Sequence, residues 1–426
     1  MATARIVRTF GAVNIGSFRI SAMVAGLTET GEMVVLGSGH RAAQGIKRGY
    51  VTDMQAATYA VRDAVERAEK LANTAVSSVW IGSAGAGLAS QVAQVEIDIG
   101  GRRIEDDDIE ALLVAAQGVI QPDGRLVLHA QPAHYTLDGA DGVSDPKGLH
   151  AERLGVDVHV MLADGAPIRN ITEAVQNAHL QVEAVVGSPI AAGYACLSPE
   201  ERDLGVALVE FGAEVTNVSV YAAGMLLGLV TIPMGSGDVT DAIASAFGIR
   251  RFQAERLKCV HGSAIASPTD HREMIPVNAP GDEMTGPIAR HADDKNRIPR
   301  AELISVITEQ MARLMDEVSR ALKSLGFTGQ RGQQIVLTGG GAELAGLADY
   351  AQSALGKPVR IGRPLHIKGL PEAHGTPGFS TLTGLVLYAA ANPIDIRNVG
   401  RAKQIGSRFD KFGLAGRVYR ALREYF

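Results

Sequence analysis

Cysteine is nearly absent. The chain has two, Cys196 and Cys259, which lie too far apart to form a disulfide framework or a zinc-type spacing, so a reducing compartment is expected and a thiolate-bound metal is not. Aromatic residues amount to 5%, with a single tryptophan, a poor composition for a lectin-like β-sandwich. No apolar run reaches the ~20 residues that span a bilayer, and Arg5 and Arg8 are not followed by the apolar stretch of a secretory leader. Any membrane contact is therefore expected to be peripheral. A long basic block is also missing before residue 400, and the formal net charge is -5. Nucleic acid has no electrostatic footprint here and is set aside as a partner.

What is present fits a folded α/β protein. Hydrophobic residues make up 46% and charged residues 20% of 426 residues, with 49 glycines, which allows a large core, many tight turns and more than one domain. The chain opens with an apolar strand, Ile6 to Ile15, a Gly16-Ser17 turn, a second strand, Arg19 to Gly26, and a third, Met33 to Gly37. Apolar positions Ala57, Val61, Ala64, Val65, Ala68 and Leu71 then recur at helical spacing, and Ser78 to Ile81 reads as a buried strand. From Gly82 to about Ala166, alternating strands and an acidic helix start at Glu105 read as an inserted α+β subdomain. A helix at Pro167 to Ala178, a strand at Val182 to Gly187, a helix at Pro189 to Cys196 and an exposed SPEERDLG connector follow.

At Val206 the opening pattern returns. Leu208 to Gly224 repeats the layout of Ala12 to Gly26: strand, polar residue, apolar residue, glycine, turn, strand. Two Gly-turned hairpins can match by chance, but the order of the surrounding elements favours two lobes built on one plan. Small residues at such turns let backbone N–H groups approach an anion. Gly16, Ser17 and Phe18 supply one turn; Gly212, Ala213, Glu214 and Val215 supply the other, with the Thr216 hydroxyl nearby. A third element is IVLTGGGAELAGL, where a strand ends in Gly339, Gly340 and Gly341 with a helix N-terminus expected behind them, able to lie flat against a ring system. Taken alone a triple glycine is weak; as the third piece in this order it is strong. The helix FQAERLK places Glu255 and Lys258 at i and i+3, which suits either ribose and base edges or a solvated ion pair. A loop at Gly235 to Gly237 can pass close to the same ligand.

These pieces in this order resemble the actin, Hsp70 and sugar kinase superfamily. The stretches RGYVTDMQAATYAVRDAVERAEKLANTAVSSVWIG, IPMGSGDVTDAIASAFGIRRFQAERLK, IVLTGGGAELAGL, VRIGRPLHIKGLPE and FSTLTGLVLYA resemble the FtsA family of bacterial division proteins within it. The resemblance covers most of the chain. It implies a two-lobed actin-like (RNase H-like, duplicated) ATPase fold. The first lobe is expected at 1–82 plus 167–204, the inserted subdomain at 83–166, the second lobe at 205–234 plus 333–391, and its own subdomain at 235–332. A flexible linker, 392–407, and an amphipathic helix, 408–426, complete the plan. It also implies ATP held by Asn14, Gly16, Ser17, Phe18, Glu210, Gly212, Ala213, Thr216, Gly235, Glu255, Lys258, Gly339, Gly340 and Gly341.

In the superfamily two carboxylates, most often Asp, hold Mg2+ and its waters; here the positions are Asn14 and Glu210. Losing one charge and moving the other by a methylene leaves Glu210 to act on Mg2+ through water, and the expectation is a nucleotide switch with weak or absent ATPase. The resemblance further implies self-assembly into filaments, docking of the FtsZ C-terminal peptide on the second-lobe subdomain, where Arg300 and Arg313 can pair with acidic groups, and recruitment of other division proteins.

The C-terminal stretch stands on its own pattern. At 100° per residue Phe412, Leu414, Ala415, Val418, Tyr419, Ala421, Leu422, Tyr425 and Phe426 share one side, while Gly413, Gly416, Arg417, Arg420, Arg423 and Glu424 share the other. Aromatics opposite arginines mark a helix that lies in an anionic membrane interface, each basic residue contributing about 1 kcal/mol. The competing reading packs this helix on the protein's own core; the linker and the arginines speak against it. Among rival functions, a PilM-like platform of pilus assembly would lack such a tail. A sugar kinase would need a catalytic carboxylate between the lobes, and an Hsp70 chaperone a further domain.

Overall fold

The computed structural model describes residues 5–85, 87–278, 297–329 and 333–399. The chain opens with β1 (Ile6–Ile15), β2 (Arg19–Thr28) and β3 (Met33–Ala42), followed by a two-residue ladder of β4 (Ile46–Lys47) and β5 (Tyr50–Val51), helix α1 (Met54–Ala72) and β6 (Ser78–Ser83). The expected third strand therefore runs on past Gly37 to Ala42, held by antiparallel pairing with β2 down to Arg19↔Ala42. Asp53 caps α1 by accepting from the Ala56 N–H at 3.0 Å, and Asn73 ends it in a left-handed conformation. Its alanine-rich buried face, Ala57, Ala60, Val61, Ala64, Val65 and Ala68, packs with Val13, Ile20, Val24, Val79 and Ile81 of the sheet in one apolar core.

The inserted segment contains β7 (Ala89–Asp98), α2 (Asp106–Val119), β8 (Leu126–Leu137), β9 (Ala140–Val143) and β10 (Arg153–Ala163), with strand order β7-β10-β8-β9. Residues 90–162 form a compact unit of their own, to which the segment beginning at Pro393 also belongs. Leu112, Leu113 and Ala116 of α2 are buried, and so are His129 on β8 and His159 on β10, each 2% exposed, with rings 6.2 Å apart.

The main unit resumes with α3 (Gly165–Asn177), β11 (Gln181–Gly187), α4 (Ser188–Cys196) and α5 (Pro199–Leu204). The SPEERDLG stretch is thus a short helix and not a bare connector. Ser198 and Glu201 form a reciprocal capping box, and Arg360 clamps Glu201 with bonds of 2.7 to 3.0 Å. The second half holds β12 (Val206–Phe211), β13 (Thr216–Ala222), β14 (Met225–Ile232), α6 (Ser236–Phe247), α7 (Arg251–His261), the short pair β15 (Met274–Pro276) and β16 (Arg297–Pro299), α8 (Arg300–Ser324), β17 (Gln334–Thr338), α9 (Leu347–Leu355), β18 (Val359–Ile361) and α10 (Ser380–Ala391).

The two halves of the main unit repeat one topology. In the first sheet β1 pairs antiparallel with β2, β2 with β3, and β1 runs parallel to β6 and β6 to β11. In the second, β12 pairs antiparallel with β13, β13 with β14, and β12 runs parallel to β17 and β17 to β18. Both sheets have five strands in the same order. Helices α4 and α10 pack together, α10 against β1, β2 and β6 and α4 against strands of both sheets. There Trp80 of β6 meets Tyr388 edge-on at 5.7 Å, and Tyr388 meets Tyr194 at 5.3 Å. Among the described residues no helix is long and apolar enough to cross a membrane.

The segment 392–407, expected as a linker, departs from that expectation where it is described. Pro393 to Val399 is seated on the inserted unit, with Ile396 fully buried in a 3-10 turn. The helix expected at 408–426, with Phe412, Leu414, Arg417, Val418, Tyr419, Arg420, Leu422, Arg423, Tyr425 and Phe426, lies outside the described residues.

Candidate functional site

The repeated topology brings two equivalent hairpin turns to one cleft. In the first, the Gly16 N–H donates to the Arg19 carbonyl at 3.2 Å; in the second, the Gly212 N–H donates to the Val215 carbonyl at 3.0 Å. The strand registers Asn14↔Ser21 and Glu210↔Asn217 make Asn14 and Glu210 counterparts in the two lobes. Between the turns lies a cleft of about 420 Å³. Asn14, Gly16, Ser17 and Phe18 line it from one side, Glu210, Gly212 and Ala213 from the other, and Glu255, Lys258, Gly339, Gly340 and Gly341 complete it. A volume of this order suits a small molecule.

The Gly-rich turn is shaped by β17. Gly339 has φ +85°, a left-handed conformation in which a side chain would be strained, and a Cβ there would meet the Phe211 backbone at 2.5 Å. At Gly341 a Cβ would strike the Phe211 ring at 2.4 Å, so the turn lies directly on the second hairpin. Behind it the chain makes a 3-10 turn, Gly340–Glu343, and α9 starts only at Leu347. The helix N-terminus expected immediately behind the glycines is therefore displaced by several residues.

The pair Glu255 and Lys258 is not a solvated one. Lys258 is 9% exposed, and its Nζ donates to Glu255 Oε2 at 2.8 Å, Thr240 Oγ1 at 2.8 Å and the Ser236 carbonyl at 2.9 Å. Burial pushes the Glu255 carboxyl up, but the hydrogen bonds from Lys258 and Thr240 outweigh it and hold the group below the ordinary carboxylate range. The pair is thus a fixed ionic element at the wall of the cleft.

Two expected residues take supporting places. Thr216 is fully buried and its hydroxyl donates to the Met234 carbonyl at 2.8 Å, away from the cleft, because the β12–β13 register turns that side chain towards the chain leading into α6. Gly235 is the cap of α6, which starts at Ser236 where a loop was expected, and it packs against the Ala213 and Glu214 backbone instead of lining the cleft.

One lining residue that sequence reasoning missed is Arg19, and it is tied into a wider set of contacts. Arg19 donates to the Gly378 carbonyl at 2.7 Å and lies 3.7 Å over the Phe379 ring, tying the first hairpin to the far side of the cleft. Burial pulls its guanidinium below the ordinary value, and nearby Glu343 offsets part of that shift. Its position directly after the turn is the one signal that could have found it. Glu214 accepts from the Arg48 N–H at 2.5 Å, a second tie between the lobes. Phe379 stacks on His374 at 4.0 Å, and the His374 ring pairs with the Ser38 hydroxyl of β3.

Glu210 is 7% exposed and heavily engaged. Its Oε2 accepts from Ser188 Oγ at 2.5 Å and Asn217 Nδ2 at 3.1 Å, and its Oε1 accepts from Thr381 Oγ1 at 2.5 Å. A carboxylate offers about four lone-pair directions, so about one remains for a water. Its counterpart Asn14 carries no charge, and among the described residues no group of three His, Cys, Asp or Glu side chains is placed to hold a metal ion. This donor set does not suit Mg2+ held directly by the protein. Glu210 instead binds β12 to β13, α4 and α10.

Arg300 and Arg313, expected to be exposed for a partner, differ from each other. The Arg300 side chain is 28% exposed and its guanidinium lies 3.2 Å from Asp270 and 2.9 Å from Glu273, a structural cluster at the start of α8. Arg313 is 63% exposed and pairs with Glu309 one turn earlier.

Two five-stranded sheets of one topology, their hairpin turns facing across a ligand-sized cleft, define the actin-like class of nucleotide-cleft folds. Solved structures of that class share the fold: the PilM-PilN type IV pilus biogenesis complex matches with a TM-score of 0.62 and 17% identity over 89% of this chain and 98% of that one. MreB5 of Spiroplasma citri, solved bound to ADP, matches with a TM-score of 0.52 and 13% identity over 91% and 98%. The family described as Cell division protein FtsA matches residues 207–384, and the SHS2 domain inserted in FtsA matches residues 85–162. Cell division protein FtsA of Agrobacterium fabrum is 34% identical, covering 97% of this chain and 94% of that protein. FtsA of Escherichia coli K12 is 30% identical over 88% and 89%. The chain belongs to the FtsA family of cell division proteins.

Proposed function

We propose that this protein binds ATP in the cleft between its two sheets, assembles into actin-like filaments on an anionic membrane at the cytoplasmic face of the division site, and tethers FtsZ there through the FtsZ C-terminal peptide. The pair of facing hairpin turns carries the reading. The other backbone N–H groups of the turns, beyond those of Gly16 and Gly212, suit the phosphates, Gly340 and Gly341 offer a flat surface to the base, and the Glu255 carboxylate, held by Lys258, can accept from ribose hydroxyls. Other division proteins are recruited once such filaments form.

The same geometry disfavours rapid turnover. A hydrolytic base or metal ligand needs a free carboxylate beside the phosphates, whereas Glu210 is committed to three donors and Asn14 is neutral. The protein is a nucleotide-dependent assembly switch with feeble ATPase. Magnesium, when it arrives with ATP, neutralises phosphate charge; the chain's own part is to hold the nucleotide by backbone and cleft walls. The tail from Arg408 to Phe426 supplies lipid affinity, which filament formation multiplies by avidity.

One set of measurements on the full-length protein separates these parts. ATP titrated by calorimetry binds the full chain and the chain lacking 408–426 equally, while only the full chain floats with vesicles containing phosphatidylglycerol. A synthetic FtsZ tail peptide binds both. Absence of ATP binding removes the cleft reading, equal flotation removes the tail reading, and failure of the peptide to bind removes the division-tether reading.

A further inference from the structure

The chain returns to its inserted unit after leaving the main one. Beyond α10, which ends at Ala391, the segment Pro393 to Val399 belongs to the same compact unit as residues 90–162. Its hold there is specific. Ile396 is fully buried, the Arg397 Nη1 donates to the Val127 carbonyl at 2.7 Å, and the Ala130 N–H on β8 points to Asp395 Oδ1 at 3.4 Å. Asp395 in turn accepts from Arg397 at 2.9 and 3.0 Å, which stiffens the turn before it meets β8. On the helix side, Gln117 Nε2 donates to the Ile396 carbonyl and, at 3.0 Å, to the Val399 carbonyl. One buried aliphatic side chain and bonds to both α2 and β8 make this an integral element of the unit, contributed from more than two hundred residues away.

We propose that Pro393 to Val399 is a strap that completes the inserted unit, and that peeling it away loosens α2 and β8. The strap ends where residues 400–426 begin, so any pull on those residues reaches Val399, Arg397 and Ile396 before it reaches Ala391 at the end of α10. The protection of α2 and β8 therefore depends on whether 393–399 stays in place. This holds whatever the tail binds, because it rests only on contacts between 393–399 and the unit that carries them. Burying an isoleucine and satisfying carbonyls at both ends of a turn is the kind of contact whose removal opens a local region without unfolding the rest.

Hydrogen exchange followed by mass spectrometry on the full-length protein tests this directly. In Ile396→Asp, amides of α2 and β8 exchange about tenfold faster or more, while those of β1, β12 and β17 keep their rates. A chain lacking 400–426 keeps the protection of α2 and β8, because the strap stays. If Ile396→Asp disturbs the whole protein, Gln117→Ala gives the decision: it removes only the side chain that grips the strap, and amides of 396–398 and the end of α2 exchange about threefold faster or more. Unchanged exchange in α2 and β8 of a folded Ile396→Asp protein, or unchanged exchange at 396–398 in Gln117→Ala, overturns the proposal. Loss of α2 and β8 protection on removing only 400–426 overturns it as well.

Discussion

Gly341 faces the ring of Phe211 so closely that even a methyl group would sit 2.4 Å from a ring carbon. The ring is fixed in the core of the second lobe at 2% exposure and cannot step aside. Gly341→Ala therefore lifts the glycine turn off β12, with an overpacking cost of about 1 to 3 kcal/mol and at least a tenfold loss of ATP affinity, read by a urea midpoint and by calorimetry. At this scale the sequence was partly readable. Glycines announce themselves, because a strand that ends in three of them has few structural uses. The donors around Glu210 did not. Asn217 faces Glu210 across the hairpin, but Ser188 and Thr381 lie on helices with no sequence relation to it, so the sequence does not tell that its carboxylate is already occupied. Arg300 failed for a related reason: a basic residue at a helix start reads as free until its acidic neighbours, Asp270 and Glu273, are folded against it.

Elements were easier where one period dominated. Helix α1 shows its apolar stripe every three or four residues, and β1, β2 and β6 are bounded by glycine or polar turns, so all four stand close to their expected limits. Short elements set by contacts from elsewhere were missed. Helix α5 depends on its capping box and on Arg360 from β18, and the 393–399 turn depends on β8 and α2. The inserted sheet also holds an ionisable interior that alternation alone shows only as apolar. Burial brings His159 down to about 4, and His129 well below its ordinary value through burial first, then the nearby His159 and Arg397. Both are neutral in the folded unit, while the unfolded chain takes protons at about 6.5. Stability is thus full above pH 6.5 and falls as the pH drops from there towards 4, the unfolded state binding the extra protons. His159 alone accounts for about 2 to 3 kcal/mol by pH 4.5. Urea midpoints at pH 7 and pH 4.5 check this, and His159→Leu shows a smaller difference between the two.

Over the whole main unit, duplication organises everything else. One strand order appears twice, and the residues that meet in the cleft are those at matching places in the two copies, Asn14 opposite Glu210 and Gly16 opposite Gly212. The repeat was visible in sequence at the hairpins alone, because turn chemistry is conserved by geometry while strand interiors exchange one apolar residue for another without penalty. The ties across the cleft, Arg19 to Gly378 and Arg48 to Glu214, could emerge only once both copies were folded. The lone indole of the chain packs edge-on to Tyr388 of α10 and one ring away from Tyr194 of α4. It is therefore an unlabelled optical gauge: if nucleotide in the cleft shifts α10 against β6, the ultraviolet emission of Trp80 changes with ATP along the same saturation curve as the heat of binding. Trp80→Phe silences that signal and leaves the heat in place, so one native ring, with no dye attached, reports on the packing behind the cleft.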